Sequence, residues 1–183
     1  MPPLNEVAIT RRTQLRDRTT AFTAAFLDLA SNPPQKLLND HFTPSSPKIT
    51  EHGPSWATSK LPFLGKTFSG RGGCEEYFSL LSKVLEFKPS KDTFPGPEGV
   101  VVDPDAVGPE DDEGRPRGVV SLVARGVFRA VETGREWEEV FSYRLSGFDE
   151  DGKIGHWEIW ADPLSAWMAV QGKGEGDEAY MGM

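Results

Sequence analysis

Between Val119 and Ala161 lie three runs rich in β-branched and aromatic residues: Val119 to Val131, Glu136 to Phe148 and Lys153 to Ala161. They are joined by two four-residue connections, Glu132-Thr133-Gly134-Arg135 and Asp149-Glu150-Asp151-Gly152. Links this short cannot carry the crossover that parallel neighbours require, so the three strands must run as an antiparallel meander. Everything else in the chain has to pack on that sheet or leave it open.

The residues before the meander read mainly as helices. Between Arg11 and Ala30 the apolar positions Leu15, Phe22, Phe26 and Leu29 recur at spacings of 7, 4 and 3, one face of a helix. Ser31-Asn32-Pro33-Pro34 stops this helix and starts a second, which carries Leu37, Leu38 and Phe42. Lys48-Ile49-Thr50-Glu51-His52 is a short strand that Gly53-Pro54 must end, because proline cannot donate to a sheet ladder. A loop through Trp56 and Leu61-Pro62-Phe63-Leu64 leads to a third helix from near Gly72, with Cys74, Phe78, Leu81 and Leu85 on one face. Cys74 therefore reads as a small core residue. A further strand at Gly99–Asp103 precedes a mobile acidic insertion over residues 104–117. Asp162 before Pro163 caps a last short helix, and residues 172–183 form a Gly-rich disordered tail.

The expected architecture is one α+β domain over residues 1–171. A strongly bent antiparallel sheet forms a cone, with three N-terminal helices packed on its concave side. The mouth of such a cone suits a small ligand.

Charge and composition narrow the partners. Across 183 residues there are 28 acidic and 20 basic side chains, a net charge of −8, which repels phosphate backbones and anionic lipid. Nucleic acid and membrane are thus excluded as expected partners. With one cysteine, no apolar run long enough to span a bilayer and no signal peptide, a cytoplasmic protein is expected. The three histidines form no i, i+4 metal pair, and no Gly-rich phosphate loop follows a strand, so neither metal nor cofactor is expected.

Side-chain alternation then sorts the strands. In Glu136 to Phe148, Trp137, Glu139, Phe141, Tyr143 and Leu145 share one parity, and this aromatic set belongs against the helices. Glu139 then either sits on an apolar face with a raised pKa, able to act as acid or base, or lies in water at the strand end or paired with an arginine. In the last strand Trp157, Ile159 and Ala161 make the better apolar face, which turns His156, Glu158 and Trp160 outward. Arg144 and Glu158 then lie opposite each other on the convex face, and Trp160 marks it for coverage by a second copy of the chain.

The segment Ile49-Thr50-Glu51-His52-Gly53, the run Leu61-Pro62-Phe63-Leu64-Gly65-Lys66-Thr67-Phe68-Ser69-Gly70 leading into a helix, and Asp149-Glu150-Asp151-Gly152-Lys153-Ile154-Gly155-His156-Trp157-Glu158 together resemble the nuclear transport factor 2-like superfamily. The last of these is similar to its SnoaL-like, polyketide cyclase-like branch. The resemblance covers roughly residues 15–168. It implies the same cone, often a homodimer formed through the open sheet, and chemistry that ranges from isomerases, cyclases and dehydratases to simple binding. In the ketosteroid isomerases of the superfamily a catalytic aspartate ends the first strand, and His52 stands in that place here. Phe26 falls where their oxyanion tyrosine lies, and an ungapped count puts Arg144, or by a shift of one Tyr143 or Leu145, at their second oxyanion donor.

Two functions are compatible with these residues. One is a cofactor-free isomerase, cyclase or dehydratase acting on a hydrophobic carbonyl, polyketide or terpenoid substrate. In it His52 is the base, Tyr143 or Glu139 the acid or orienting donor, and Phe26, Trp56, Phe63, Phe141 and Trp157 the walls. The other is a non-catalytic dimeric binding or assembly module whose cone is filled by its own aromatics, with His52 merely capping its strand end.

Overall fold

The computed structural model describes residues 4–108 and 117–171. The core of the expected acidic insertion (residues 109–116) and the Gly-rich tail (residues 172–183) lie outside the described residues. Four α-helices and seven strands are present among those described: α1 (Leu4–Phe26), α2 (Pro34–His41), β1 (Lys48–His52), β2 (Lys66–Ser69), α3 (Gly70–Val84), β3 (Leu85–Lys88), β4 (Val101–Asp103), β5 (Val119–Ala130), β6 (Glu136–Ser146), β7 (His156–Trp160) and α4 (Pro163–Val170). The α+β cone expected from the sequence is the fold observed.

The strand order is β2-β1-β7-β6-β5-β3, with β4 beside β5 as well. The meander β5-β6-β7 is antiparallel, as short links demand, and is anchored by ten register pairs between β5 and β6. The sheet as a whole is mixed rather than antiparallel. β1 lies parallel to β7, with Ile49 beside Trp157, Thr50 beside Glu158 and His52 beside Trp160. The long stretch of chain between β1 and β7 makes that parallel contact possible. Lys66–Ser69 and Leu85–Lys88, read from sequence as loop and helix end, are edge strands. They are short, and their pairing to β1 and β5 is a tertiary choice that local patterning does not carry.

Alternation along β6 and β7 runs as the sequence indicates. Trp157 is 1% exposed and packs its ring against Phe22, Phe26, Tyr77, Phe78 and Tyr143, with centroids 4.9–6.2 Å away. Trp160, three residues on, faces the opposite side and is 40% exposed. In β5 the inward positions Ala124 and Gly126 are small. A Cβ at Gly126 would meet the Phe87 ring at 2.5 Å, so the bare backbone there is what admits that ring to the interior. Asp162 caps α4, accepting from Leu164 N at 3.0 Å and Ser165 N at 3.2 Å. Thr133 Oγ1 and Arg135 donate to the Ala169 and Met168 carbonyls, fastening the last turn of α4 to the β5–β6 hairpin. Cys74 is fully buried against the Pro47 and Phe68 carbonyls, and burial pushes its thiol up to about 11.

The two tryptophans of β7 give a direct test of this alternation. Trp157→Ala should cost about 3–5 kcal/mol in urea unfolding, because it empties the centre of the core. Trp160→Ala should cost only about 1 kcal/mol, the value of a stacked ring pair at a surface.

Candidate functional site

The concave side of the sheet encloses a narrow inner chamber of about 50 Å³. It opens beside a wider groove of about 650 Å³ between α1, α3 and β3, and the two share Phe26, Leu81, Leu85, Phe87 and Phe128 as walls. Aromatic rings dominate the inner chamber because the inward positions of β6 and β7 and one face of α3 all point there.

The polar groups in this apolar space are few. On β1, Ile49 and Glu51 point inward, while Lys48, Thr50 and His52 point out, as a period of two requires. Glu51 is 7% exposed, and the Tyr77 hydroxyl of α3 donates to its Oε2 at 2.7 Å. Burial raises the Glu51 pKa to about 7. The Tyr77 hydrogen bond opposes the rise, and the charge of Glu139 adds to it. Tyr77 and Tyr143 are pushed well above the usual phenol value by burial and by Glu51, so both hydroxyls stay protonated. Among the described residues the Tyr143 hydroxyl has no hydrogen-bond partner, although Tyr143 is only 5% exposed and lines the chamber. At the other end Glu139 accepts from Trp137 Nε1 at 2.7 Å. Its pKa is raised, by burial first and by the neighbouring Asp162 as well. Asp162 itself is held below the usual carboxylate range by its hydrogen bond to Ser165, so it is ionised at neutral pH.

The chamber therefore brings together Phe26, Phe63, Glu139, Phe141, Tyr143 and Trp157 of the residues expected from sequence. Two are placed elsewhere. His52 lies on the outer face of the sheet, where it stacks on Trp160 with ring centroids 4.1 Å apart and meets Glu158 Oε1 at 3.1 Å. The strand end was located correctly, but the inward side chain is its neighbour. Trp56 follows Gly53-Pro54 into a short 3-10 turn, Ser55–Ser59, where it is 62% exposed and packs edge-on against Trp167 of α4. That turn buries Ala57 instead.

Glu51 and Tyr77 are the site residues that sequence reasoning missed. Both carried a signal. Glu51 shares parity with Ile49, and Tyr77 stands three residues after Cys74 and four before Leu81, on the helix face already assigned to the core.

On the outer face Arg144 donates to Glu158 Oε2 at 2.8 Å across the β6–β7 hairpin, the pairing expected from register. Among the described residues no cluster of side chains could hold a metal ion, and no helix is long and apolar enough to cross a membrane.

No family model and no curated protein matches the sequence. Solved structures do match in shape. An NTF2-like protein from Burkholderia xenovorans aligns over 84% of this chain and 96% of its own, at 13% identity and a TM-score of 0.55. A phenazine biosynthesis-related protein from Pseudomonas aeruginosa aligns over 93% and 97%, at 14% identity and a TM-score of 0.51. TerC, crystallised with polyporic acid, aligns over 84% and 98%, at 15% identity and a TM-score of 0.52. The chain has the nuclear transport factor 2-like fold that its sequence resembles.

Burial of Glu51 has a measurable consequence for stability. Its folded pKa lies above the unfolded one, near 4.5, so the folded state holds the extra proton between the two values. Stability should therefore fall as pH rises from about 4.5 to about 7, by on the order of 3 kcal/mol. Glu51→Gln, which keeps the shape and cannot ionise, should flatten that segment of the curve in urea unfolding across pH and stabilise the protein at about pH 8.

Proposed function

We propose that this chain is a small-molecule pocket protein of SnoaL-like type. Within it a proton is moved on a hydrophobic carbonyl, polyketide or terpenoid substrate by general acid–base catalysis, without a cofactor. One observation carries the reading: a buried carboxyl, Glu51, is poised near neutral pH beside an unpartnered hydroxyl, Tyr143, in an aromatic chamber. A base with a pKa near the working pH is ionised often enough to act and basic enough to take a proton.

In this mechanism Tyr143 donates to the substrate carbonyl oxygen and stabilises the charge that builds there. Glu51 Oε1 removes a proton from the adjacent carbon, while Tyr77 holds Oε2 and fixes the orientation of the carboxylate. Glu51 then returns the proton at another position, giving isomerisation, ring closure or loss of water. Glu139 is the second carboxyl facing the same space. His52, on the far side of the sheet, has no part in the transfer.

A model ketone tests the reading without knowledge of the natural substrate. Deuterium exchange at the carbon next to the carbonyl of 2-tetralone, followed by NMR, should be catalysed with a rate that rises through about pH 7 as Glu51 ionises. Glu51→Gln should lower it by about 100-fold or more, and His52→Ala by less than about threefold. An unchanged rate in Glu51→Gln would remove this carboxyl from the chemistry.

A second reading, a binding or assembly module of the same fold, is favoured by the outer face of the sheet. Register there aligns Val123, Ser142, Trp160 and His52 in one row, with Val140 close by. Val123 is 61% exposed, Val140 62% and Trp160 40%. A homodimer formed through this face would cover them, and the catalytic and dimeric readings are compatible. Trp160→Glu should shift sedimentation at tens of micromolar, about the range for a dimer of ~1 μM affinity, from dimer to monomer without loss of fold. A wild-type monomer at that concentration would rule the dimer out.

A further inference from the structure

The inner chamber and the groove beside it differ greatly in size, about 50 Å³ against about 650 Å³, and they meet at a neck formed by Phe26, Leu81, Leu85, Phe87 and Phe128. At about 10–15 Å³ for each water-sized group, the chamber seats only a few non-hydrogen atoms. The groove lies in the range that holds the body of a small molecule. A ligand whose carbonyl reaches Tyr143 and Glu51 therefore keeps most of its bulk outside the chamber, and the groove is the space that adjoins it.

Polarity is ordered along this path. The hydrogen-bonding groups of the chamber, Glu51, Tyr77 and Tyr143 among them, lie inside the neck, whose five residues are all apolar. Beyond it Leu29, Pro33, Pro34 and Phe78 continue the apolar wall, and the exposed Gln35, Ser79, Ser82 and Glu86 mark the mouth. A polar group of the ligand held in the neck would be buried without a partner. The middle of the ligand is therefore hydrocarbon.

The rings set the cross-section. Register aligns Phe87, Phe128 and Trp137 in one row across β3, β5 and β6. Their rings stack, with successive centroids 4.9 and 5.7 Å apart at 29° and 23°, so their faces cover one another. At the neck Phe26 lies 5.8 Å from Phe87. A flat ring inserted between two others holds them about 7–8 Å apart, the width of two van der Waals contacts. No pair here is open that far. The neck offers ring edges and leucine side chains, a lining that suits one hydrocarbon chain and gives a fused ring system no slot.

We propose that the ligand of this cavity is an elongated, acyclic carbonyl compound: its carbonyl end seats in the inner chamber, and an apolar chain runs through the neck and along the groove toward Ser79 and Ser82. The inference rests on the chamber being the functional site and narrows the substrate of that site to chain-like molecules. Helix α3, which carries Ser79, Leu81 and Ser82, is then the element that measures the chain.

2-Decanone and 2-decalone test this, because they have the same number of carbons and one ketone each and differ mainly in shape. Both are titrated calorimetrically into the full chain. The bicyclic ketone has no rotors to freeze, so by default it is the favoured ligand of an apolar pocket. Here 2-decanone should nevertheless bind about tenfold or more tighter, and each methylene added from 2-heptanone to 2-decanone should tighten binding about threefold. Ser82→Trp places an indole in the groove and should bring 2-decanone to within about threefold of 2-decalone. Ser79→Trp, one turn earlier on the same helix, is the second block. Each variant is first checked for the wild-type urea transition. If 2-decalone binds the wild type as tightly as 2-decanone, or a folded block variant keeps the full preference, the chain-like ligand is overturned and the pocket reading stands. If neither ketone binds, the pocket reading fails and this inference with it.

Discussion

The placement of β1 governs what the cone contains. It runs parallel to β7 in the middle of the sheet, and Ile49 lies beside the buried Trp157. Because side chains alternate strictly, that one contact sends Glu51 into the chamber and Thr50 and His52 to the outer face. A slip of one residue would exchange an aromatic-lined carboxyl for an imidazole and put Glu51 among Glu158 and Trp160. The register is held from both faces. Inside, Trp157 packs on α1 and α3; outside, Thr50 Oγ1 bonds Thr67 Oγ1 and His156 Nε2, each at 2.8 Å. Neither face can be satisfied in the alternative register.

The electrostatics of the chamber follow from that placement. A carboxyl inside an aromatic cavity resists ionisation, and Tyr77 recovers only part of the lost hydration with its single hydrogen bond. Glu139, on β6, faces the same space and adds repulsion. Neither group has a basic neighbour in the lining, which distinguishes them from the structural pair Arg144–Glu158 on the other side of the sheet. There Glu158 is as deeply buried as Glu51, yet it accepts from Arg144 and meets His52. Two glutamates in one sheet thus have opposite surroundings: one compensated, one left with its proton. The uncompensated one belongs to the cavity, and that contrast is the physical basis for reading it as the working group.

Much of this was legible in the chain. Short turns dictated the meander, and apolar alternation oriented Trp157, Tyr143, Glu139 and Trp160 as observed. The Asp162-Pro163 cap and the core role of Cys74 followed from local chemistry. What escaped was tertiary. The pairing of β1 with β7, and of β2 and β3 with the sheet edges, depends on contacts far apart in sequence. The assignment of His52 came from counting to a strand end by resemblance, which fixes a position along the strand but not the face it presents. Applying to Lys48–His52 the parity rule that worked for β6 and β7 would have selected Glu51.

The account stands on the protonation of Glu51. Difference infrared spectroscopy of the wild type against Glu51→Gln isolates the carbonyl stretch of this one protonated carboxyl as pH is varied. That band should persist through the range where ordinary carboxyls have ionised and disappear around a midpoint of about 7. Loss of the band with a midpoint near the ordinary glutamate value of about 4.3 would contradict the account, since Glu51 would then be hydrated and the chamber would lack its poised base.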